Sequence, residues 1–592
     1  MDNTNTVKTN KTDKSEKKGS VVWDCIFLAV LVLLPFLHLA FGVEFSDTAY
    51  SLGNYENLDR MNLTWTIATF WANMLGKGFT KLPFGSLWIG MKFYTTLVPV
   101  SGIVISYLFL KKYIPRVMVF IGELLAIAMF WCPTTILYNY LTYLLFTAAI
   151  VVLVTSLSKD CKWGLAVAGA ILAFNVFVRF PNITEIALIL VVWLNTRVDR
   201  KKFVNGVLDT MICIGGFLAG ISLNILVIGL NYGFSSIPAM VVSLFSMTGD
   251  NTGYKPTQMV LTIIRAYATY YKSFIFLIGI TVICFAVSAL MKRHYARIIT
   301  VVAQFVLYGL FLFWAYRNHV YTVRYSDYSS MYFWMVIFFI LGNIVTVWTI
   351  LRKRNPKELK LIAMAVLVVM WITPLGSNNA LYPSINNLFI VAPAVIFMWW
   401  NEMFKGRNFY ELLDLEAKNT MVASRITVAL LLISVFVHCS LFGIVFIFRD
   451  TGFPYDNHTS VSNNEVLKYM HTNPDRAALI EELSAYVKNH GLAGKEAIFY
   501  GEIPGLEYIL KMPCAISHTW PDLGSFSYED FRKDIEQLEK PPVIFINENV
   551  CEDIFNLDGG SSDKEICLSE YMNANEYELK VRIDYIAIYT AR

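Results

Sequence analysis

The chain has 592 residues, of which 56% are hydrophobic, 15% aromatic and only 16% charged, with a formal net charge of +4. Soluble domains carry about 25% charged and about 45–50% apolar residues, so a water-soluble globule, a disordered chain and a small disulfide scaffold are all excluded. The basic residues sit in short clusters between apolar runs, which argues against nucleic-acid binding and for a multi-spanning membrane protein.

Residues 1–20 are polar, Lys-rich and without apolar periodicity, so a disordered cytoplasmic segment is expected. The run 21–42 is as long as a bilayer span and too long for a signal-peptide core, and predicts an uncleaved first helix. Directly after it stands GVEFSDTAYSL, with Glu44, Asp47 and Tyr50. Within the long connection 44–84, the stretch 61–75 repeats apolar residues at helical spacing. It predicts one amphipathic helix lying in the interface plane, with a membrane-dipping half-span as the alternative.

Further spans are predicted at 85–110, 116–133, 137–157, 163–180, 183–196, 204–230, 260–291, 297–316, 330–351, 360–375, 387–404 and 425–448. With the first helix that makes about thirteen transmembrane helices. Lys/Arg clusters at 8–18, 111–116, 159–162, 197–202, 292–297, 352–360 and 405–407 occupy every second connection. By the positive-inside rule the N-terminus is cytoplasmic and the chain after the last span lies outside the plasma membrane.

From 450 onward, about two dozen acidic side chains face about a dozen basic ones, a shift that suggests a second compartment. HTNPDRAALIEELSAYVKNHGL predicts an amphipathic helix with an Asp-Arg start and a Gly stop, EAIFYG and PPVIFIN buried strands, 528–539 another helix, and KVRIDYIAIYT one closing strand. The fold class expected is therefore an α-helical polytopic membrane protein (21–450) carrying a C-terminal extracytoplasmic α/β domain (451–592). Six of nine cysteines lie in or beside apolar runs; the tail's three allow one bridge, Cys551–Cys567, and their odd number argues against a framework. No zinc spacing, phosphate loop or nucleophile elbow is present.

Charges at the outer ends of apolar helices carry most of the functional information, because they are costly there unless solvated or paired. Glu44 and Asp47, with Tyr50 and the adjoining interfacial helix, would form a ledge beside the membrane suited to a lipid-linked substrate, with a solvated helix cap as the plain alternative. Arg179, in VRFPN, is the candidate phosphate clamp, since a guanidinium bonds phosphate with paired donors; a snorkelling side chain is the competing reading. Asn182, Tyr50 and Asn139 in YNYLTYLL are polar groups at the same boundary, and Arg317, Arg324, Lys255 and Arg265 are further candidate phosphate-binding cations. The amides of 373–387 suit sugar hydroxyls, and suit an ordinary turn equally well.

EFSDTAY after the first helix, an interfacial helix, alternating short loops and an outer C-terminal domain together resemble the GT-C superfamily of membrane glycosyltransferases, of the protein O-mannosyltransferase and lipid A aminoarabinose transferase type. VRFPN and YNYLTYLL are similar to stretches of bacterial members. The resemblance covers roughly 20–450 and implies a polyprenyl-phosphate sugar donor, a glycan, lipid or protein acceptor, and a catalytic carboxylate in the first outer loop, by position Asp47 with Glu44 nearby. The spacing here is E-x-x-D, where protein O-mannosyltransferases often have adjacent acids; no cofactor is implied with certainty, and the need for a divalent cation stays open. A transporter or flippase of a lipid-linked saccharide, which would favour internal repeats and mid-membrane charges, is the main rival. An oligosaccharide polymerase or ligase and a non-catalytic scaffold are the others.

Overall fold

The computed structural model describes residues 21–246, 256–290, 295–404, 418–450, 456, 458–551, 553–557 and 561–592. Helix α1 (Val21–Phe36) tightens at Pro35 into a 3-10 turn, and the chain then reverses at Gly42, whose φ of 88° lies in the left-handed region that favours glycine. The connection that follows holds α2 (Asp47–Glu56), α3 (Leu63–Ala68) and α4 (Phe70–Thr80). The single interfacial helix expected over 61–75 is thus two helices, broken at Thr69 (φ −125°, ψ 37°). The break is satisfied locally. Asn73 Nδ2 donates to the carbonyls of Trp65 and Thr66 (3.3 Å each), and Trp71 N donates to Phe177 O at 3.2 Å, outside the helix.

The membrane part continues through α5 (Trp88–Leu110), α6 (Arg116–Met129), α7 (Leu137–Ser158), α8 (Lys162–Val176), α9 (Ile189–Val198) and α10 (Phe203–Tyr232). It goes on with α11 (Ser236–Ser246), α12 (Pro256–Ala268), α13 (Tyr271–Leu290), α14 (Tyr295–Arg317) and α15 (Ser329–Leu351). The last four are α16 (Lys357–Ile372), α17 (Tyr382–Asn386), α18 (Val391–Phe404) and α19 (Lys418–Val445). Within the described residues each of the predicted spans falls on helix, although 260–291, expected as one, is split into α12 and α13 by a turn at Thr269–Tyr270. Among the described residues, 7 helices are long and apolar enough to cross a membrane. The others are shorter, and the short span expected at 183–196 begins as a 3-10 segment, Phe180–Leu188, because Pro181 starts it.

In the tail, β1 (Thr459–Ser460) pairs antiparallel with β2 (His471–Thr472). Then come α20 (Pro474–Asn489), β3 (Ala497–Tyr500), α21 (Leu506–Leu510), α22 (Tyr528–Glu536), β4 (Val543–Asn547), α23 (Asp563–Ala574), β5 (Tyr577–Ile583) and β6 (Ile586–Ala591). The sheet order is β3-β4-β6-β5, parallel at β3–β4 and antiparallel elsewhere. KVRIDYIAIYT, expected as one strand, is a hairpin. Ile583 pairs with Ile586 across Asp584-Tyr585, and Asp584 takes φ 51°, a conformation Asp tolerates better than most residues. Cys551 and Cys567 are both free, so the bridge allowed by the sequence does not form.

Alternate residues of the strands feed two cores. Ile498, Tyr500, Ile544 and Ile546 pack with Phe531 and Leu568 of α22 and α23. Ala497, Phe499, Val543 and Phe545 join Ile480 of α20 in a cluster that runs on into the membrane helices, through Leu31, Trp88 and Phe338. Backbone bonds stitch the same seam: His471 N to Ala40 O (2.7 Å), Gly42 N to His471 O (2.9 Å), Gly505 N to Phe45 O (2.7 Å), Asn62 N to Ser517 O (2.7 Å) and Trp88 N to Val466 O (2.9 Å).

Candidate active site after the first helix

The seam surrounds the segment between α1 and α2. Glu44, 3% exposed, turns its carboxylate onto the start of α2, where it accepts from Ser46 N and Ser46 Oγ (2.6 Å each) and from Thr48 N. An acid there is favoured by the free N–H groups and the positive end of the helix dipole. Its oxygens are therefore committed to shaping the turn. Asp47, the first residue of α2, is placed differently: its side chain is 31% exposed and ion-paired with Arg449 Nη2 at 3.0 Å. Arg449 also donates from Nη1 to Ser46 Oγ (2.7 Å). Burial pushes the Asp47 carboxyl up to about 6; Arg449 pulls it down, while Glu44 and Glu502 push it further up.

One turn on, the Tyr50 hydroxyl is 3.1 Å from Nε2 of His518, and its ring meets Trp520 edge-on. Burial drives His518 down to about 3, so this imidazole is neutral at physiological pH and serves to seat Tyr50.

Below the carboxylates lies an apolar cavity of about 210 Å³ between α1, α6 and α19. Leu37, Ile127, Phe436, Ile444 and Phe446 are among its walls, and Glu44, Thr48 and Lys92 among its polar lining. Lys92, on α5, is 3% exposed and donates to the carbonyls of His38 (3.2 Å) and Phe41 (2.5 Å). Among the described residues no carboxylate pairs with it. An amine held there by carbonyls suits an anion delivered at the head of an apolar groove, whose charge would favour its protonated form.

The structure thus brings Glu44, Asp47 and Tyr50 together, and joins Asp47 to Arg449 rather than to Arg179. Arg179 Nη2 donates to Gly376 O at 3.0 Å, near the buried Glu185 that Asn175 holds at 2.7 Å. Asn182 is buried, with Nδ2 bonded to Thr142 Oγ1 (2.8 Å) and Asn175 O (3.0 Å), a tie between α7 and α8. Asn139 is half-buried in the first turn of α7; Arg265, Arg317 and Arg324 are exposed, and Lys255 lies outside the described residues. Arg449 and Lys92 are the residues that sequence reasoning passed over. Arg449 carries the same signal as Arg179, a lone Arg at the outer end of an apolar run; Lys92 is a single cation inside one. Among the described residues no group of three or more His, Cys, Asp or Glu could hold a metal ion.

Fold and site define a polytopic helical membrane protein with a carboxylate–arginine pair and a lysine-headed apolar cavity at one membrane face. No protein-family profile and no curated protein matches the chain. Among solved structures it is similar to the oligosaccharyltransferase AglB of Archaeoglobus fulgidus, in complex with an inhibitory peptide and a dolichol-phosphate: 12% identity, 90% of this chain and 70% of that one, TM-score 0.43. It is similar also to ArnT of Cupriavidus metallidurans bound to undecaprenyl phosphate, with 11% identity, 96% and 98% coverage and TM-score 0.39. The third is the arabinosyltransferase EmbB of Mycobacterium smegmatis, with 11% identity, 70% and 41% coverage and TM-score 0.33. All three are GT-C glycosyltransferases, the superfamily that the sequence motifs resemble. These likenesses concern the path of the chain and assign no residue a role.

Proposed function

We propose that this protein is a membrane glycosyltransferase that moves a sugar from a polyprenyl-phosphate-linked donor to a hydroxyl of a glycan, lipid or protein acceptor outside the plasma membrane. In this reading the N-terminus is cytoplasmic, and Asp47 is the general base. The observation that carries it is the setting of Asp47: partly exposed, oriented by Arg449, raised to about 6, and set beside a cavity that pairs apolar walls with Lys92. A base with that affinity is mostly ionised at neutral pH yet still accepts a proton readily.

The polyprenyl chain would lie along the apolar walls, with its phosphate toward Lys92. A phosphate-linked sugar already has a good leaving group, so no general acid is needed at that oxygen. Asp47 takes the acceptor's proton as the hydroxyl attacks the anomeric carbon in line, which inverts it. The bond from that carbon to the phosphate oxygen breaks, and Lys92 offsets the charge gathering on the phosphate. Glu44 is not a second base here; it holds the turn that presents Asp47.

The test is transfer by the purified full-length protein from polyprenyl-phosphate sugars. A positioned base contributes about 10²–10⁴-fold, so Asp47→Asn is expected to lower turnover by roughly that factor with expression intact. Because the base works unprotonated, wild-type kcat/KM should rise with pH through about 6. Near wild-type turnover in Asp47→Asn would overturn the assignment of the base, and absence of transfer by the wild type itself would overturn the activity and favour a transporter.

A further inference from the structure

A knot of buried polar groups ties the tail to the segment that carries Asp47. The Asp450 carboxylate, fully buried, accepts from Val43 N (3.1 Å), Thr472 Oγ1 (2.6 Å), Asn473 Nδ2 (2.8 Å) and Arg476 Nη1 (3.1 Å). The same nitrogen of Arg476 donates to the carbonyls of Val43 (2.6 Å) and Arg449 (3.2 Å), and its guanidinium lies 5.6 Å from the centre of the Phe45 ring. Arg476 is itself held in the first turn of α20, where its N–H donates to the side chain of Asn473 at 2.9 Å. Three segments meet here: the exit of α1 one residue before Glu44, the exit of α19, and the head of α20.

Arg449 needs that support. It stands at φ 49°, a left-handed conformation unfavourable for a residue with a Cβ. Its own carbonyl is bonded by Arg476 and the next residue by four donors, so the knot fixes the backbone from which its side chain reaches Asp47.

We propose that Arg476 is a positioning residue for the transfer reaction: with Asp450 it holds Arg449 against Asp47, so the tail sets the geometry of a site whose carboxylate belongs to the membrane part. The inference rests on Asp47 being the base. Asp47 is faced by Arg449 across the ion pair, by Glu44 from its own connection and by Glu502 from the tail. Withdrawing Arg449 leaves two like charges against it, which raises its proton affinity.

The experiment uses the full chain with Arg476→Met, Arg476→Lys and Thr472→Val. It reads kcat, donor KM, the acid limb of the pH–rate profile, and hydrogen exchange over 42–50 and 446–450. A misplacement near 1 Å can cost about 10²-fold, so Arg476→Met should lower kcat roughly 10- to 100-fold with donor KM little changed. The acid limb should move up from about 6 and exchange should quicken in both segments. Arg476→Lys should restore most of kcat and return the limb, because all three bonds leave one nitrogen and an ammonium carries three donors.

An unchanged kcat, or a lowered kcat with an unmoved limb, overturns the inference. Should Arg476→Met fail to fold, Thr472→Val decides: a smaller upward move of the limb supports the knot, and none overturns it. Quickened exchange in Arg476→Met alongside full turnover in Asp47→Asn would leave the knot standing and remove the base.

Discussion

Lys92 and Arg449 show where single residues escape a linear reading. Window-averaged hydropathy hides one ammonium inside an apolar span, and Arg449 sits where composition marks only a boundary. What singles each out is its surroundings, brought from elsewhere in the chain: the carbonyls of His38 and Phe41 and the cavity for one, Asp47 for the other. Glu44, Asp47 and Tyr50 were legible because they stand within seven residues of one another, just past a span. Lys92 gives the sharpest residue-level prediction. A charge-assisted hydrogen bond contributes about 1.5–3 kcal/mol, so Lys92→Met should raise donor KM by roughly tenfold or more. Arg179→Ala, at a side chain tied to Gly376, should leave donor KM within about twofold. An unchanged KM in Lys92→Met would reduce that lysine to a clamp on the carbonyls of His38 and Phe41.

Among the elements, the apolar helices were readable throughout, since their signal is a local sum over about twenty residues. The break at Thr69 and the hairpin at Asp584 were not. Each turns on one residue's backbone angles and on partners such as Phe177 that lie elsewhere in the chain. The contact of α21 with α2 is also of this kind. Gly505 brings the two helices so close that a Cβ there would stand 2.1 Å from that of Ala49 and 2.8 Å from Phe45 O. Gly505→Ala must therefore part the helices and strain the Gly505–Phe45 bond. Overpacking of this size costs about 1–3 kcal/mol, seen as a lower melting temperature. Gly78→Ala, which meets open space on α4, is the control and should be neutral or mildly stabilising.

Over the whole molecule, the tail's acidity and strand pattern were visible, but its burial into the membrane part was not, because both faces of β3 and β4 read alike as apolar. The seam carries a pH dependence of its own. Glu507, buried against Gly53 on α2, accepts from Asn57 Nδ2 (2.7 Å) and Cys514 N (3.2 Å), and burial raises it from 4.5 to about 7. A carboxyl raised on folding contributes stability that is fully present below about 4.5 and lost as pH rises through about 7. Glu507→Gln, which cannot ionise, should flatten that decline and melt above the wild type at about pH 8. A variant that melts below the wild type there would show that the ionised carboxylate is tolerated.

The bond from Arg476 to Val43 spans 433 positions, and that distance is also an interval of time. At about 5–20 residues per second, a ribosome needs roughly 20–90 s between making the two ends. Throughout that interval the segment that carries Asp47 is already made, without the Arg476 guanidinium that closes on it. A chain cut between Asp450 and Arg476 would hold the carboxylate, Arg449 and the lysine-headed cavity yet lack the knot, and should transfer at least 10- to 100-fold more slowly than the full chain. Full catalytic competence would then arrive only once Arg476 has been made and has closed on Val43.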